Sequence, residues 1–173
     1  MHNEVALWLQ QCREVDYSGA LVYEVGALNV NGQARDIVPK GWVSWIGFDL
    51  VEGDGVDFPG DAEELLPDFE QCDVMVSTEV LEHTPRWAQL LGVMCDSVKP
   101  GGWLILTCAG TGRKPHAADG SPGGPHPGEW YANVPLDAVV AVCKEHGFEQ
   151  VAGEEGWPGD TRYLGRKVET WQH

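Results

Sequence analysis

The sequence predicts an α/β fold, a three-layer sandwich with a mostly parallel seven-stranded sheet. Three observations lead there. Short runs rich in β-branched and aromatic residues alternate with helix-period segments through most of the chain. Alternation of that kind builds βαβ units, whose crossovers cover both faces of the sheet. At 173 residues the chain has the length of one domain, with no internal repeat and no linker to divide it, so residues 1–173 are expected to form a single domain.

The elements follow in order. Val5, Leu7, Trp8 and Leu9 give residues 4–14 the character of a short amphipathic helix within an N-terminal segment 1–18. Residues 20–25 read as a buried strand, and 33–38 as one or two helical turns stopped by Pro39. "WVSWIGFDL", 42–50, is a second strand, and a short third lies at 56–58 in a glycine-rich stretch. A helical turn at 62–66 precedes a fourth strand at 72–78. A helix is expected over 85–98 and a fifth strand at 103–108, with "KPGG" as the turn between them. A helix at 136–146 ends at Gly147, and strand-like pieces lie at 148–152 and 163–169. Residues 109–133 carry glycine, proline and histidine without regular pattern, and loops of that length in compact domains are usually binding loops or lids.

Composition excludes several classes of function. The balance of 11 Lys and Arg against 27 Asp and Glu gives a net charge of −16. A nucleic-acid backbone or an anionic membrane surface calls for a basic face, so neither is an expected partner. Five cysteines without a C-x-x-C pair, and an N-terminus too short and acidic for a signal peptide, predict a reduced cytoplasmic protein. No apolar run is long enough to cross a bilayer.

Open parallel sheets bind ligands beyond the carboxyl ends of their strands. Gly26 ends the first strand, where a bare backbone can turn sharply, and Asn31-Gly32 supplies a second turn. Asp49 follows 23 residues later at the tip of "WIGFDL", where a carboxylate can accept both hydroxyls of a ribose. Asp61 is suited either to an adenine amino group or to capping the next helix.

"VYEVGALNVNG", "IGFDL", "GDAEEL", "CDVMVSTEVLEH" and "VKPGGWLIL" together resemble the motifs of class I S-adenosylmethionine-dependent methyltransferases, over about residues 20–108. The resemblance implies a Rossmann-like sheet whose last strand runs antiparallel. It also implies S-adenosylmethionine as cofactor. Glu24, Gly26 and Ala27 would then line the methionine end, and Asn29 is a candidate for the contacts that absent glycines would make. Asp49 would bind the ribose, Leu50 would lie against the adenine, and Asp61 and Ala62 would meet its edge. Ser77, Thr78 and Glu79 would form the floor beneath the sulfonium. Leu28 and Val30 stand where a dinucleotide loop needs glycine, which disfavours NAD and a nucleotide-dependent oxidoreductase. There is no D/N-P-P-Y stretch and no Pro-Cys nucleophile, the marks of methylation on DNA bases.

The expected function is methyl transfer to oxygen or nitrogen of a small-molecule or glycan acceptor. His116 and His126, in the long loop, are the candidate catalytic bases, since histidine accepts a proton near neutrality. Glu79, Glu82 and His83, at i, i+3 and i+4, would share a face if a helix begins there. That E-x-x-E-H pattern resembles Mg²⁺-assisted O-methyltransferases, some of which add a distal histidine such as His126. The same pattern also serves as cofactor floor without a metal, and the chain is read with no committed metal ligand. A module that binds the cofactor without turnover is the remaining alternative.

Overall fold

A computed structural model describes residues 3–121 and 123–169. The outermost residues of the expected 1–173 domain and Pro122 of the expected loop lie outside the described residues.

Seven strands form one sheet: β1 (Leu21–Val25), β2 (Ser44–Asp49), β3 (Phe58–Pro59), β4 (Cys72–Thr78), β5 (Val98–Ala109), β6 (Phe148–Gly156) and β7 (Asp160–Lys167). Their spatial order is β3-β2-β1-β4-β5-β7-β6. β1 pairs in parallel with β2 and β4, β2 with β3, and β4 with β5. β7 enters antiparallel between β5 and β6, as expected for the last strand. The order reverses at β1 and β4, so the crevice beyond their carboxyl ends is the switch point of the sheet.

Period-two alternation decides which face each side chain joins. Tyr23, Val25, Met75, Leu104, Leu106 and Tyr163 point to one face. There α2 (Ala62–Leu65), α3 (Trp87–Asp96) and α4 (Leu136–Glu145) cover them with Ala62, Leu91, Met94 and Val139. Val22, Trp45, Val74, Val76, Ile105 and Leu164 point to the other, against Val5, Trp8 and Leu9 of α1 (Asn3–Gln11) and the 3₁₀ turn Ala34–Asp36. These are the three layers predicted. The 3₁₀ turn replaces the longer helical stretch read at 33–38.

Two local expectations give way. "KPGG" is not a turn preceding β5 but an excursion within it. Cys72 pairs with Val98 and Val74 next with Trp103, so residues 99–102 stand out of register, held by the 2.8 Å ion pair of Lys99 with Asp73. The helix expected over 85–98 begins only at Trp87, because a separate 3₁₀ turn, Leu81–His83, follows β4 and Thr84 is extended. It stops at Asp96 because the Ser97 carbonyl is taken by the Cys72 amide, which opens the β4–β5 ladder.

Candidate active site

The first strand leaves the sheet at Gly26, whose φ of +84° is open to glycine at little cost. Both Gly26 and Ala27 amides donate to the Phe48 carbonyl at the end of β2. A methyl group on Gly26 would overlap Val80 Cγ2, so the β1 and β4 exits touch directly. Gly47 and Gly55 bring two further backbones together: a side chain on Gly47 would strike the Gly55 carbonyl. The β1 loop is thereby laid on the 50–57 loop, fixed by Asn29 Nδ2 and Gln33 Nε2 donating to Asp54 Oδ2 at 2.7 and 3.2 Å.

Asp49 sits at the tip of β2. Its Oδ2 accepts from the Leu28 amide and its Oδ1 from the Val51 amide, each at 3.1 Å. A carboxylate has about four acceptor positions, so the two amides orient Asp49 while leaving lone pairs for other donors. Leu50 and Val51 beside it are 75% and 57% exposed, and Phe58 of β3 is 40% exposed. An apolar ring could lie on that patch. Asp61 accepts from the Glu63 amide at 2.9 Å and caps α2, with Ala62 buried behind it.

Glu24 is placed differently from the crevice residues. It is 2% exposed and faces the α1 side of the sheet, where Oε2 accepts from Trp45 Nε1 at 2.8 Å and Oε1 from the Ala34 amide at 3.4 Å. Its present partners therefore brace the loop from behind. Burial pushes its pKa up to about 7, partly offset by those two hydrogen bonds. An acid whose folded pKa is raised binds its proton more tightly in the native state. Its contribution is fully present below about pH 4.5 and is lost as pH rises through about 7. Glu24→Gln is expected to remove a decline on the order of 3 kcal/mol over that window, read from urea denaturation at a series of pH values. An unchanged pH profile would show that Glu24 titrates normally.

β4 ends with Ser77, fully buried with an Oγ that makes no hydrogen bond, and Thr78, half-buried. Glu79 then adopts a φ of +59°, uncommon for any residue but glycine, at a cost on the order of 1–3 kcal/mol. This left-handed step breaks the helical face expected for Glu79, Glu82 and His83. Glu79 Oε1 accepts from Thr107 Oγ1 at 3.1 Å, and Oε2 faces Arg113 at 3.8 Å. Glu82 turns the other way, fully buried, with Oε1 accepting from the Ala109 amide at 3.0 Å.

The loop 109–133 brings His116 to Glu82. His116 Nε2 is 3.8 Å from Glu82 Oε1, and one donor atom each of Glu82, His83 and His116 lies within 4.8 Å of the others. Tyr131 completes a cluster of three rings with centroids 5.1–5.5 Å apart. Burial, and next the charge of Glu79, hold the Glu82 pKa well above the usual carboxylate range. Burial, and next His116, lower that of His83. His126 stands apart from this group. Its side chain is half exposed, and Nε2 meets Asp119 Oδ2 at 3.1 Å and Ser121 Oγ at 3.0 Å. The hydrogen bond to Asp119 raises its pKa. The tip of the loop reaches the β1 turn, where a side chain on Gly120 would press on Asn31 Nδ2 at 2.7 Å. The loop thus runs from β5 to the β1 turn, across the switch point.

Arg113, Asp160 and Tyr131 escaped the sequence reading as a group. Arg113 donates to buried Asp160 at 2.5 Å, and Tyr131 is 3.3 Å from His116 Nδ1. No local pattern could find them, because Asp160 lies 47 residues from Arg113.

Comparison with known proteins agrees with this geometry. No curated protein matches the sequence. The fold resembles the Burkholderia thailandensis 1,6-didemethyltoxoflavin-N1-methyltransferase, solved with its substrate and S-adenosylhomocysteine. That match has 17% identity and a TM-score of 0.67, over 96% of this chain and 78% of that one. It resembles magnesium protoporphyrin IX methyltransferase from Synechocystis PCC 6803, solved with S-adenosylmethionine, at 14% identity and a TM-score of 0.65, over 96% and 77%. The [4+2]-cyclase SpnF is also similar, at 14% identity and a TM-score of 0.69, over 96% and 81%. At such identities the likeness speaks for the fold. The sequence itself matches the model of the methyltransferase domain over residues 8–152, most of its length. The chain belongs to that family, the S-adenosylmethionine-dependent methyltransferases of class I.

Proposed function

We propose that the protein transfers the methyl group of S-adenosylmethionine to oxygen or nitrogen of a small-molecule acceptor, a glycan included, held beneath the 109–133 loop. The observation that carries this reading is the convergence of three elements on one crevice: the Gly26 turn, the oriented Asp49 carboxylate and the loop that spans them. The residues present suit the cofactor. Gly26 keeps the crevice open, since a side chain there would fill it toward Val80. Asp49 retains acceptor capacity for the ribose, and the exposed Leu50 offers the adenine an apolar face beside Asp61 and Ala62. Ala27 and Asn29 would flank the methionine end with Glu24 bracing from behind, and Ser77, Thr78 and Glu79 would floor it.

When bound, the cofactor supplies an electrophilic methyl group already activated by its positive sulfur. What remains for the protein is alignment and exclusion of water. Loop 109–133 serves the second need. A hydroxyl or ammonium acceptor also has a proton to lose, and His116, set against Glu82, is the nearest base to the crevice floor in this reading. His126, exposed on the loop, would act only on an acceptor reaching out to Asp119.

Calorimetric titration with S-adenosylhomocysteine tests the reading. Binding in the micromolar to millimolar range is expected. Asp49→Ala should weaken it about ten- to a hundredfold, the value of one or two hydrogen bonds to a charged acceptor. Absence of heat with the unaltered protein would overturn the proposal. Binding without methylated product across an acceptor screen would favour a non-transferring module instead.

A further inference from the structure

We propose that Glu82, His83 and His116 form a binding site for a divalent first-row transition-metal ion of the zinc or cobalt type. Each residue offers one donor atom, and these atoms lie within 4.8 Å of one another. Bonds of about 2 Å to a shared tetrahedral ion set donors roughly 3.4 Å apart. The 3.8 Å between Glu82 Oε1 and His116 Nε2 is within a few tenths of an ångström of that.

The lone pairs are arranged for it. His116 Nδ1 lies 3.4 Å from the Lys114 carbonyl and 3.3 Å from the Tyr131 hydroxyl. A proton on Nδ1 finds an acceptor there, so Nε2 presents its lone pair toward Glu82. An outer hydrogen bond that fixes the tautomer is what metal-bound imidazoles usually have. Glu82 Oε1 already holds the Ala109 amide, while Oε2 is buried with no hydrogen-bond partner. His83 Nδ1 is buried with none either. Buried orphans of this kind are costly, and two in one cluster ask for a shared partner. A proton on Glu82 would remove the charge yet leave its O–H without an acceptor, since nothing lies within hydrogen-bond range of Oε2. A divalent cation satisfies both orphans and the charge together.

Two imidazoles with one carboxylate favour zinc, cobalt or manganese over magnesium, which prefers an all-oxygen octahedron. Glu79 is outside the set, engaged by Thr107 and facing Arg113. Three protein ligands leave a coordination position open. An acceptor hydroxyl entering it would release its proton to solvent near neutrality, as metal-bound water does. That last extension rests on the methyl-transfer reading; the metal site does not. With a metal bound, His116 is a ligand rather than a base.

The test uses the full chain, stripped with EDTA and titrated with Co²⁺ in the absence of cofactor. Expected is a visible absorption band saturating at one equivalent, abolished by Zn²⁺ and unaffected by equimolar Mg²⁺. His116→Asn and Glu82→Gln should weaken Co²⁺ binding about a hundredfold, and His146→Asn, which pairs with Asp96 on α3, should leave it unchanged. Circular dichroism melting verifies folding. Should Glu82→Gln fail to fold, His116→Asn, on the loop, decides alone. No stoichiometric band in the unaltered protein, or equal affinity in His116→Asn, overturns the site. Displacement by equimolar Mg²⁺ overturns the choice of ion. Separate titration with S-adenosylhomocysteine reports on the methyl-transfer reading independently.

Discussion

Gly26→Ala is expected to destabilise the protein by about 2–4 kcal/mol and to weaken S-adenosylhomocysteine binding at least about tenfold. Two costs combine. At φ +84° an L-residue is strained by roughly 1–2 kcal/mol. The added methyl also overlaps Val80 Cγ2, and Val80 is not free to retreat. It sits between Glu79, already held at φ +59°, and the 3₁₀ turn that carries Glu82 and His83. Relief therefore moves the β4 exit, and the crevice floor moves with it. Gly32→Ala is the control. Gly32 has a φ of +105° but nothing within 4 Å of an added methyl, so its cost is backbone strain alone. Urea denaturation of the two variants, with calorimetry on each, checks the expectation. Equal costs at the two positions would mean that the Val80 contact yields easily.

Asp160→Ala should cost about 3–5 kcal/mol, the range for removing one partner of a buried ion pair. Asp160 is fully buried at the start of β7, 2.5 Å from Arg113 and 3.7 Å from Arg162. Both guanidinium groups are largely shielded from water, with side-chain exposures of 16% and 10%. Arg162 keeps Glu154 at 2.7 Å, and Arg113 keeps only the longer approach to Glu79 among its printed carboxylate distances. The loss falls mainly on Arg113, at the root of the 109–133 loop, where the Gly110 amide bonds the Gly159 carbonyl. Proteolysis within the loop should accelerate in parallel with the loss of stability. Because the pair is buried, added salt should change neither effect much. A variant as stable as the unaltered protein would show that the two arginines are neutralised elsewhere.

Local pattern reached far into this fold. The runs of Val, Ile and Phe in β1, β2 and β4 can only be strands buried on both faces, and the alternation with helix-period segments implies a covered parallel sheet. Gly26, Asp49 and Asp61 were legible because their positions follow from strand ends, which composition marks. Element limits were less so. The 85–98 helix lost its ends to long-range partners: Ser97 to Cys72 at one end, and the 3₁₀ turn at the other.

The sequence by itself determined the layered architecture, the family, and which strand ends carry the conserved-type acids and glycine of a nucleoside-binding crevice. Those depend on periodicity and on residues close in the chain. Only the tertiary structure decided how the polar side chains are shared out. Spacing put Glu79, Glu82 and His83 on one face, whereas the left-handed turn at Glu79 sends it to Thr107 and Arg113 and sends Glu82 under Ala109. His116 and His126 looked alike in the loop, yet one is carried to Glu82 and the other left on Asp119. A buried carboxylate takes whatever partner the fold brings within about 3–4 Å. In this chain those partners come from strands and loops tens of residues away, beyond the reach of any local pattern.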